Sequence, residues 1–317
     1  MAATPKALSE EPPIRKESLA RFLPEEWGGI REMRRLRGGA IQENWCLTFE
    51  DGQRLVLRCD PAVSLGMGIG KQEEFAMLRL AAAAGVTVPE PLFFGAIEEK
   101  PFFLMRFVPG GRILEPGFRP RLAEALAGEL ARLHRLEGEG FDVARARLQG
   151  LDRYLDADPE PRPVAEWGRN WLRRHVPAPL PVVLAHGDFR TGNYLVEEER
   201  LTAVLDWEFA GWGDPDEDLA WFCFRCWRLG ADTLAAGGIA PRAFFWNAYE
   251  AASGRRLDPE RLHYWEVMAA LRYLVIARLE RDRFLAGGER SLQLALIGRR
   301  IAECEHELLR LIDGGKR

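Results

Sequence analysis

Apolar and polar residues alternate in a stretch near the start of the chain. Residues 45–50 place tryptophan, leucine and phenylalanine at the odd positions, which is the period of a β-strand with one buried face. Asp51-Gly52 follows, a dipeptide typical of two-residue hairpin turns. Residues 54–58 form a second β-prone run after that turn. The pattern therefore predicts an antiparallel hairpin over this region.

A second pair of apolar runs lies further along the chain. Residues 194–196 and 201–205 are β-prone and are separated by four charged residues, which predicts another hairpin. Because a hairpin brings its two ends together, Asp206 is expected to lie beside Asn193. A short apolar run at 181–184 predicts a buried strand that leads into this region.

Helical periodicity appears in two places. Residues 72–84 are predicted to form one helix, which ends before Gly85, and the region from about Pro241 onward is helical by pattern. Between the hairpins, residues 102–108 form an apolar strand that breaks at Pro109-Gly110. The buried stripe of the first helix is predicted to comprise Phe75, Leu78 and Ala82.

The strongest chemical signal is a loop of the pattern H-x-D-x-x-x-x-N. It runs from His186 through Asp188 to Asn193, and Asp206 follows after the predicted hairpin. Phosphoryl transfer from ATP needs a carboxylate that orients the acceptor hydroxyl, and hard oxygen ligands for Mg²⁺. Asp188 is the candidate for the first role, and Asn193 and Asp206 are the candidates for the second. The alternative is a polar surface loop with solvated carboxylates.

The stretch from His186 to Trp207 resembles the aminoglycoside phosphotransferase and choline kinase-like superfamily, whose fold is that of protein kinases. The segments 206–208, 213–215 and 218–220 are also similar to that family's sequences. Within the superfamily, the chain looks like the branch related to the kinase-like domains of some acyl-CoA dehydrogenase proteins. The resemblance extends from about Gly38 to the C-terminal helices, and it is specific at the catalytic loop and looser elsewhere.

The resemblance implies an α+β, bilobal protein-kinase-like fold. A small β-rich N-lobe with one main helix would cover residues 18–108 and bind the nucleotide. A larger helical C-lobe, residues 109–317, would carry the catalytic loop and the substrate-binding part. Residues 1–17 carry scattered proline, glutamate and lysine, and we expect them to be disordered, with a helix beginning near Ser18.

The return strand of the first hairpin is the candidate phosphate-binding strand. Val56 and Arg58 share one of its faces, which suits an adenine ring and its phosphates. By the resemblance, Arg58 stands where kinases have their phosphate-binding lysine; arginine holds phosphate bidentately and stays charged. Its ion-pair partner would be Glu74, with Glu73 as a rival. The alternatives are an exposed strand arginine and a solvated helix glutamate.

Other parts of the nucleotide site depend on backbone atoms. The two glycines at 38–39 can bring N–H groups close to phosphate oxygens, although adjacent glycines also form ordinary turns. The resemblance implies that the backbone around residues 106–108 binds the adenine edge at a hinge. The candidate cofactor-binding residues are Gly38, Gly39, Asn44, Val56, Arg58, Glu74, Met105, Arg106, Phe107 and Val108.

The catalytic loop offers further candidates beside Asp188. His186 and Arg190 complete the candidate catalytic set, and the resemblance implies that Asp218 braces the loop. The acids near Asp214 also fit a helix start, with aspartate as the N-cap and Pro215 at the first helical position.

Composition excludes several other classes of protein. The net charge is −4 and the pI is near 5.9, and no block of Lys and Arg predicts nucleic-acid binding. No stretch predicts a transmembrane helix, and the N-terminus lacks a signal peptide's apolar core. Among the five cysteines, Cys223 and Cys226 form a C-x-x-C pair without a second metal-binding pair. Core packing in an apolar helix is therefore preferred to zinc or redox chemistry. Reduced cysteines predict a cytoplasmic location.

Together these features predict an ATP- and Mg²⁺-dependent phosphotransferase that phosphorylates a hydroxyl of a small molecule, with GTP as the alternative nucleotide. No set of acids suited to a polycation is found, which favours a hydroxyacyl or CoA-linked acceptor over an aminoglycoside. The alternatives are a kinase of an aminoglycoside, choline or a sugar-like alcohol, a kinase of a protein acceptor, and a pseudokinase that binds a nucleotide or partner without catalysis. The oligomeric state is left open.

Overall fold

The computed structural model describes residues 14–24, 27–36, 43–60, 68–286 and 291–314. They separate into two compact units. The sheet unit comprises the described residues up to 112 together with 193–210, and the helical unit comprises 113–192 and 211–314. The segment after the catalytic loop thus belongs to the sheet unit, whereas each lobe predicted from the sequence is continuous along the chain.

The sheet unit is built on five antiparallel strands, β1 (Ile30–Arg35), β2 (Glu43–Phe49), β3 (Arg54–Cys59), β4 (Pro91–Ile97) and β5 (Lys100–Arg106). They form one sheet with the order β1-β2-β3-β5-β4. The hairpin predicted around Asp51-Gly52 is present, but its turn has three residues, 50–52, instead of the expected two. The Phe49 N–H bonds to the Gln53 carbonyl at 2.9 Å, and Gly52 has a φ of 88°, which glycine adopts readily.

Two helices accompany this sheet, α1 (Lys16–Ala20) and α2 (Lys71–Ala83). The stripe predicted for α2 is wrong in part: Leu78 is buried, but Phe75 and Ala82 are half-buried. The buried face also includes the polar side chains of Lys71 and Glu74, and Glu74 is directed toward an arginine of β3. The buried residues of α2 are Lys71, Glu74, Leu78 and Ala81.

The hairpin predicted in the middle of the chain is also present, as β7 (Tyr194–Glu197) and β8 (Arg200–Val204). Its turn consists of two glutamates, 198 and 199, which both have positive φ. Glycine or asparagine normally signals such a turn, so the sequence pattern predicts the hairpin but not the turn geometry. The hairpin is tied to its own unit by a bond of 2.7 Å from the Val204 N–H to the Thr87 carbonyl.

The helical unit is organised around one long helix, α8 (Pro259–Ala286). Its core cluster draws on α8 and on most other helices of the unit. A two-stranded ribbon of β6 (Val183–Ala185) and β9 (Gly211–Gly213) carries the catalytic loop at the end of β6. The remaining helices are α3 (Pro120–Leu133), α4 (Val143–Asp156), α5 (Pro163–Arg174), α6 (Pro215–Phe222), α7 (Arg242–Ser253), α9 (Leu292–Gly298) and α10 (Ile301–Gly314).

The prediction that Cys223 and Cys226 share one helix is wrong. Helix α6 ends at Phe222, and Cys226 lies in a separate short 3₁₀ helix, Arg225–Trp227. The chain is extended at Phe224, which lets the neighbouring aromatic rings pack against Tyr273 of α8. Aromatic packing overrides the continuation of the helix here.

None of the described helices combines the length and the apolarity needed to cross a lipid bilayer.

Candidate active site

The catalytic loop begins where β6 ends. Gly187 has a φ of 74°, a region that side chains with a Cβ rarely adopt, which explains glycine at this position. The carboxylate of Asp188 is held on two sides. It accepts a hydrogen bond of 2.8 Å from Trp221 Nε1, and the Nε of Arg190 lies 3.1 and 3.0 Å from its two oxygens. Asp188 is thus a buried carboxylate with a fixed orientation.

The brace implied for Asp218 is present. Its carboxylate accepts hydrogen bonds from the backbone N–H groups of His186 (2.7 Å) and Gly187 (2.9 Å). His134 Nε2 lies 3.3 Å from the same carboxylate. Burial would raise the pKa of Asp218, but its interactions with His134 and with His186, hydrogen bonds among them, lower it overall. An ionised Asp218 therefore fixes the backbone just before Asp188.

His186 is itself fully buried and accepts a hydrogen bond of 3.2 Å from the Asp188 N–H at its Nδ1. Arg190, the other member of the predicted catalytic set, lies with its guanidinium carbon 4.6 Å from the centroid of the Trp227 ring. All three predicted catalytic side chains thus come together in the helical unit. His186 shapes the loop, and Arg190 contacts the carboxylate.

Two further residues contact this loop from outside the predicted catalytic set. Besides Trp221, Arg272 of α8 donates a hydrogen bond of 2.8 Å to the Gly187 carbonyl, and its guanidinium packs 4.4 Å from the Trp221 ring. The sequence pattern suggests core packing for Trp221 and a position on the charged face of a helix for Arg272. No local sequence signal distinguishes a tryptophan that donates a hydrogen bond from one that fills a core.

In the sheet unit, Arg58 forms a buried ion-pair cluster. Its Nε lies 2.5 Å from Glu74 Oε1, and its Nη2 lies 2.6 Å from Asp206 Oδ1. Arg58 is 5% exposed and Glu74 is 1% exposed, which rules out the exposed arginine and the solvated glutamate. Burial would lower the pKa of Arg58, but the carboxylates, led by Glu74, raise it overall. The cluster therefore keeps Arg58 charged.

Lys71 is a further member of this cluster that the sequence prediction missed. Its Nζ is buried, 2.8 Å from Glu74 Oε2 and 3.4 Å from Asp60 Oδ1. Glu74 thus shares its two oxygens between two cations. The spacing of Lys71 and Glu74, three residues apart on α2, is the available signal, but it does not reveal that the pair is buried.

Asn193 and Asp206 lie at the two ends of the β7–β8 hairpin, as predicted. The Leu205 N–H donates a hydrogen bond of 2.7 Å to the Asn193 carbonyl. Asp206 has a φ of 71°, a conformation that aspartate tolerates better than most residues. The two side chains offer an amide oxygen and a carboxylate oxygen, which is a donor set that suits Mg²⁺ completed by phosphate oxygens.

Two of the other predicted nucleotide-binding residues, Asn44 and Val56, lie on the neighbouring strands β2 and β3. Gly38 and Gly39 lie outside the described residues. The Oδ1 of Asn44 is buried without a hydrogen-bond partner in the described part of the chain, and Asn44 pairs with Arg58 in the β2–β3 register. Val56 is buried opposite Met105. An unpartnered amide oxygen beside Arg58 suits a polar ligand.

At the predicted hinge, two backbone donors are already used within the sheet unit. The N–H of Arg106 bonds to the Glu90 carbonyl at 2.9 Å, and the N–H of Phe107 bonds to the Arg54 carbonyl at 3.3 Å. The Arg106 side chain is exposed and pairs with Glu90. The N–H groups of Arg106 and Phe107 are therefore engaged within the unit.

Comparison with curated proteins finds relatives among the acyl-CoA dehydrogenase proteins. The chain is 30% identical to mouse acyl-CoA dehydrogenase family member 10 over 218 residues, which are 62% of this chain and 20% of that protein. It is also 30% identical to chicken acyl-CoA dehydrogenase family member 11 over 256 residues, which are 70% of this chain and 32% of that protein. The chain therefore spans a fifth to a third of the length of these relatives.

Solved structures share the fold. A protein of Ralstonia eutropha assigned to the aminoglycoside phosphotransferases matches with a TM-score of 0.73 at 21% identity, over 90% of this chain and 93% of that one. The aminoglycoside phosphotransferase APH(4)-Ia, in a ternary complex with ADP and hygromycin B, matches with a TM-score of 0.60 at 18% identity, over 92% and 98%.

The family assignment follows from the sequence as a whole. The model of the phosphotransferase enzyme family, APH, matches residues 32–265, a span that contains Arg58, Glu74, Asp188, Asn193 and Asp206. The chain has the α+β fold of the kinase-like phosphotransferases, and it belongs to the APH phosphotransferase enzyme family.

Proposed function

We propose that the protein is an ATP- and Mg²⁺-dependent phosphotransferase that phosphorylates a hydroxyl group of a small molecule. The observation that carries the proposal is the setting of Asp188. The loop before it is braced by Asp218, and its carboxylate is oriented by Trp221 and Arg190. In the proposed reaction Asp188 orients the acceptor hydroxyl and takes its proton late, which asks for position rather than for strong basicity.

The nucleotide is proposed from the buried cluster of the sheet unit. Arg58, held by Glu74, would contact the phosphates, and the Asn44 amide would offer a polar contact beside it. The proposed nucleotide is ATP, since similar structures contain ADP or AMP-PNP, and GTP is the alternative. Asn193 and Asp206 would hold Mg²⁺, which when bound neutralises the charge of the phosphates. Arg58 pairs with Asp206, so a ligand that draws Arg58 toward phosphate would release that carboxylate.

The charges around Asp188 bear on the class of acceptor. Two arginines, Arg190 and Arg272, contact the catalytic loop. Glu217, the acid next to Asp218, is itself paired with Arg147. A polycation such as an aminoglycoside needs available carboxylates, whereas an arginine-bordered loop suits a neutral or anionic molecule. A hydroxyacyl acceptor, free or linked to CoA, is the proposed class.

The test is an acceptor screen that measures ADP release from Mg²⁺·ATP. The panel contains hydroxy acids, their CoA thioesters, homoserine, choline, sugars and aminoglycosides. We expect acceptor-dependent turnover with hydroxyacyl compounds. Asp188→Asn, which keeps the side chain's size, should lower that turnover by about 100-fold or more and leave nucleotide binding near that of the wild type.

The control variant is Asp232→Asn, an exposed aspartate of the same unit, which should retain turnover. Full turnover in Asp188→Asn would remove Asp188 from its role. Nucleotide binding without turnover of any acceptor, a protein substrate included, would favour the pseudokinase.

A further inference from the structure

The helical unit contains a cavity of about 400 Å³ that the proposed phosphotransfer does not use. The 3₁₀ helix Arg225–Trp227 and the turn after it form one wall, and the start of α10 with the residue before it forms the other. Two of the five cysteines, Cys226 and Cys304, line this cavity from opposite walls. The cavity therefore gives small molecules access to a pair of thiols that are distant in sequence.

The two thiols lie in the same part of the unit. Cys226 and Cys304 both line the cavity, Cys226 packs against the apolar cluster that contains Cys304, and neither is part of a disulfide. Cys226 is partly exposed, whereas Cys304 is 1% exposed. Cys226 is thus the thiol more open to a reagent in the cavity.

The surroundings favour the thiolate form of the more exposed cysteine. The hydrogen bond from Cys304 lowers the pKa of Cys226, and the positive charge of Arg300 lowers it further against the opposing effect of burial. The same hydrogen bond, together with burial, raises the pKa of Cys304. Cys223, by contrast, is fully buried, and its pKa is raised to about 12 by burial.

We propose that Cys226 and Cys304 are a reversible dithiol–disulfide couple that a hydroperoxide oxidises through this cavity. The Cys226 thiolate attacks the peroxide oxygen, which gives a sulfenic acid and releases an alcohol or water. The sulfur of Cys304 then attacks the sulfenic sulfur, forms the S–S bond and releases water. Two thiols and one hydroperoxide thus give one disulfide, one alcohol and one water. A dithiol reductant then returns the disulfide to two thiols by exchange and is itself oxidised to a disulfide.

The couple lies next to a contact that involves the catalytic loop. Trp227 directly follows Cys226, and Arg190 packs over its ring. A covalent bond at Cys226 acts on the backbone one residue away from that contact. The proposed couple is argued from the cavity and from the two cysteines that line it, so it does not depend on the proposed phosphotransfer.

The test uses the full chain, reduced with dithiothreitol, desalted and treated with hydrogen peroxide at a few molar equivalents. After catalase quenching, the denatured protein is alkylated with N-ethylmaleimide and its intact mass is measured. The reduced chain should carry five alkyl groups, and the oxidised chain should carry two fewer. A peptide map should show one linkage, between Cys226 and Cys304, and dithiothreitol should restore full alkylation.

Two variants test which cysteine reacts first and whether the linkage is specific. Cys304→Ser should stop at a Cys226 sulfenic acid that dimedone traps, whereas Cys223→Ser, the matched control, should keep the linkage. Full alkylation of the peroxide-treated wild type would overturn the proposal. So would a linkage that involves any other cysteine, and the wild-type peptide map decides this point even if a variant does not fold.

Discussion

At the scale of single residues, the proposed phosphotransfer depends on how the carboxylate of Asp188 is held. Asp188 accepts a hydrogen bond of 2.8 Å from the indole nitrogen of Trp221. Trp221 is buried and its ring also packs against Arg272. An indole N–H is a donor only, and its ring cannot turn in a packed core. Trp221 therefore fixes the direction in which Asp188 points.

Replacing Trp221 with phenylalanine keeps an aromatic ring in the core but removes the hydrogen bond to Asp188. We expect turnover with the acceptor found by the screen to fall about tenfold or more, because a hydrogen bond to a charged group contributes about 1.5–3 kcal/mol. The nucleotide KM should change little.

The control is Trp265→Phe, because the indole nitrogen of Trp265 is buried and has no hydrogen-bond partner among the described residues. Equal turnover in the two variants would mean that Trp221 acts as packing alone.

Single residues also show what the sequence can predict. Motif spacing predicts functional roles for Asp188, Asn193 and Asp206, because the chemistry of phosphoryl transfer restricts which residue types stand at those positions. The same spacing did not reveal Trp221 or Lys71, since each acquires its partner only through tertiary packing. The residue types of the catalytic loop can therefore be predicted from the sequence, whereas the side chains that Trp221 and Lys71 contact are determined by the tertiary structure.

At the scale of secondary-structure elements, helix α2 and strand β3 are joined by buried charge. Glu74 neutralises both Arg58 and Lys71. A buried ion pair of this kind is costly to break, because removal of one partner leaves the other charge without compensation. The predicted apolar stripe of α2 is partly wrong for this reason: periodicity assumes that a buried face is apolar.

Glu74→Ala is expected to lower the free energy of unfolding by about 3 kcal/mol, because two buried cations lose a partner. Urea denaturation measures the change. Glu73→Ala provides the control on the same helix, since Glu73 is exposed and its loss should cost less than about 0.5 kcal/mol. Similar losses in both variants would contradict the buried ion-pair cluster.

Asp214, the N-cap residue of helix α6, has a raised pKa. Asp214 accepts a hydrogen bond from the Asp216 N–H, which confirms the predicted helix start. The pKa of Asp214 is raised to about 6, mainly by burial and then by the Asp216 carboxylate, against the opposing charge of Arg261. The folded state thus holds this proton more tightly than the unfolded chain, whose aspartate pKa is about 3.9. The stabilisation is complete below about pH 4 and is lost as the pH rises through about 6.

Asp214→Asn removes this titration. The free energy of unfolding of the wild type minus that of the variant should therefore fall by about 3 kcal/mol between pH 4 and pH 7. Urea denaturation at several pH values measures the slope. Asp232→Asn makes the same substitution at an exposed site and serves as the control. A difference for Asp214→Asn that is flat or rises with pH would show that Asp214 is not protonated in the folded state.

At the scale of the whole molecule, the chain divides its chemistry between two compact units. The helical unit holds Asp188 and its supports, and the sheet unit holds the cluster of Arg58, Glu74 and Asp206. The sequence predicted the early strands, the main helix and the late helices. It did not predict that residues 193–210 belong with the early strands, because this follows from long-range pairing such as the bridge between Gly111 and Val196.

The central claim is that the cluster of the sheet unit binds a nucleotide together with Mg²⁺. The most direct measurement is a thermal melt with ATP, with and without Mg²⁺, on the wild type, Asp206→Ala and the exposed-site control Glu73→Ala. At a hundred times its Kd, a ligand adds about 2.7 kcal/mol to the free energy of unfolding, which corresponds to a shift of a few degrees. We expect a Mg²⁺-dependent shift of the melting temperature in the wild type and in the control, and no such shift in Asp206→Ala. An equal shift in all three proteins, or no shift in a well-folded wild type, would contradict nucleotide and Mg²⁺ binding by this cluster.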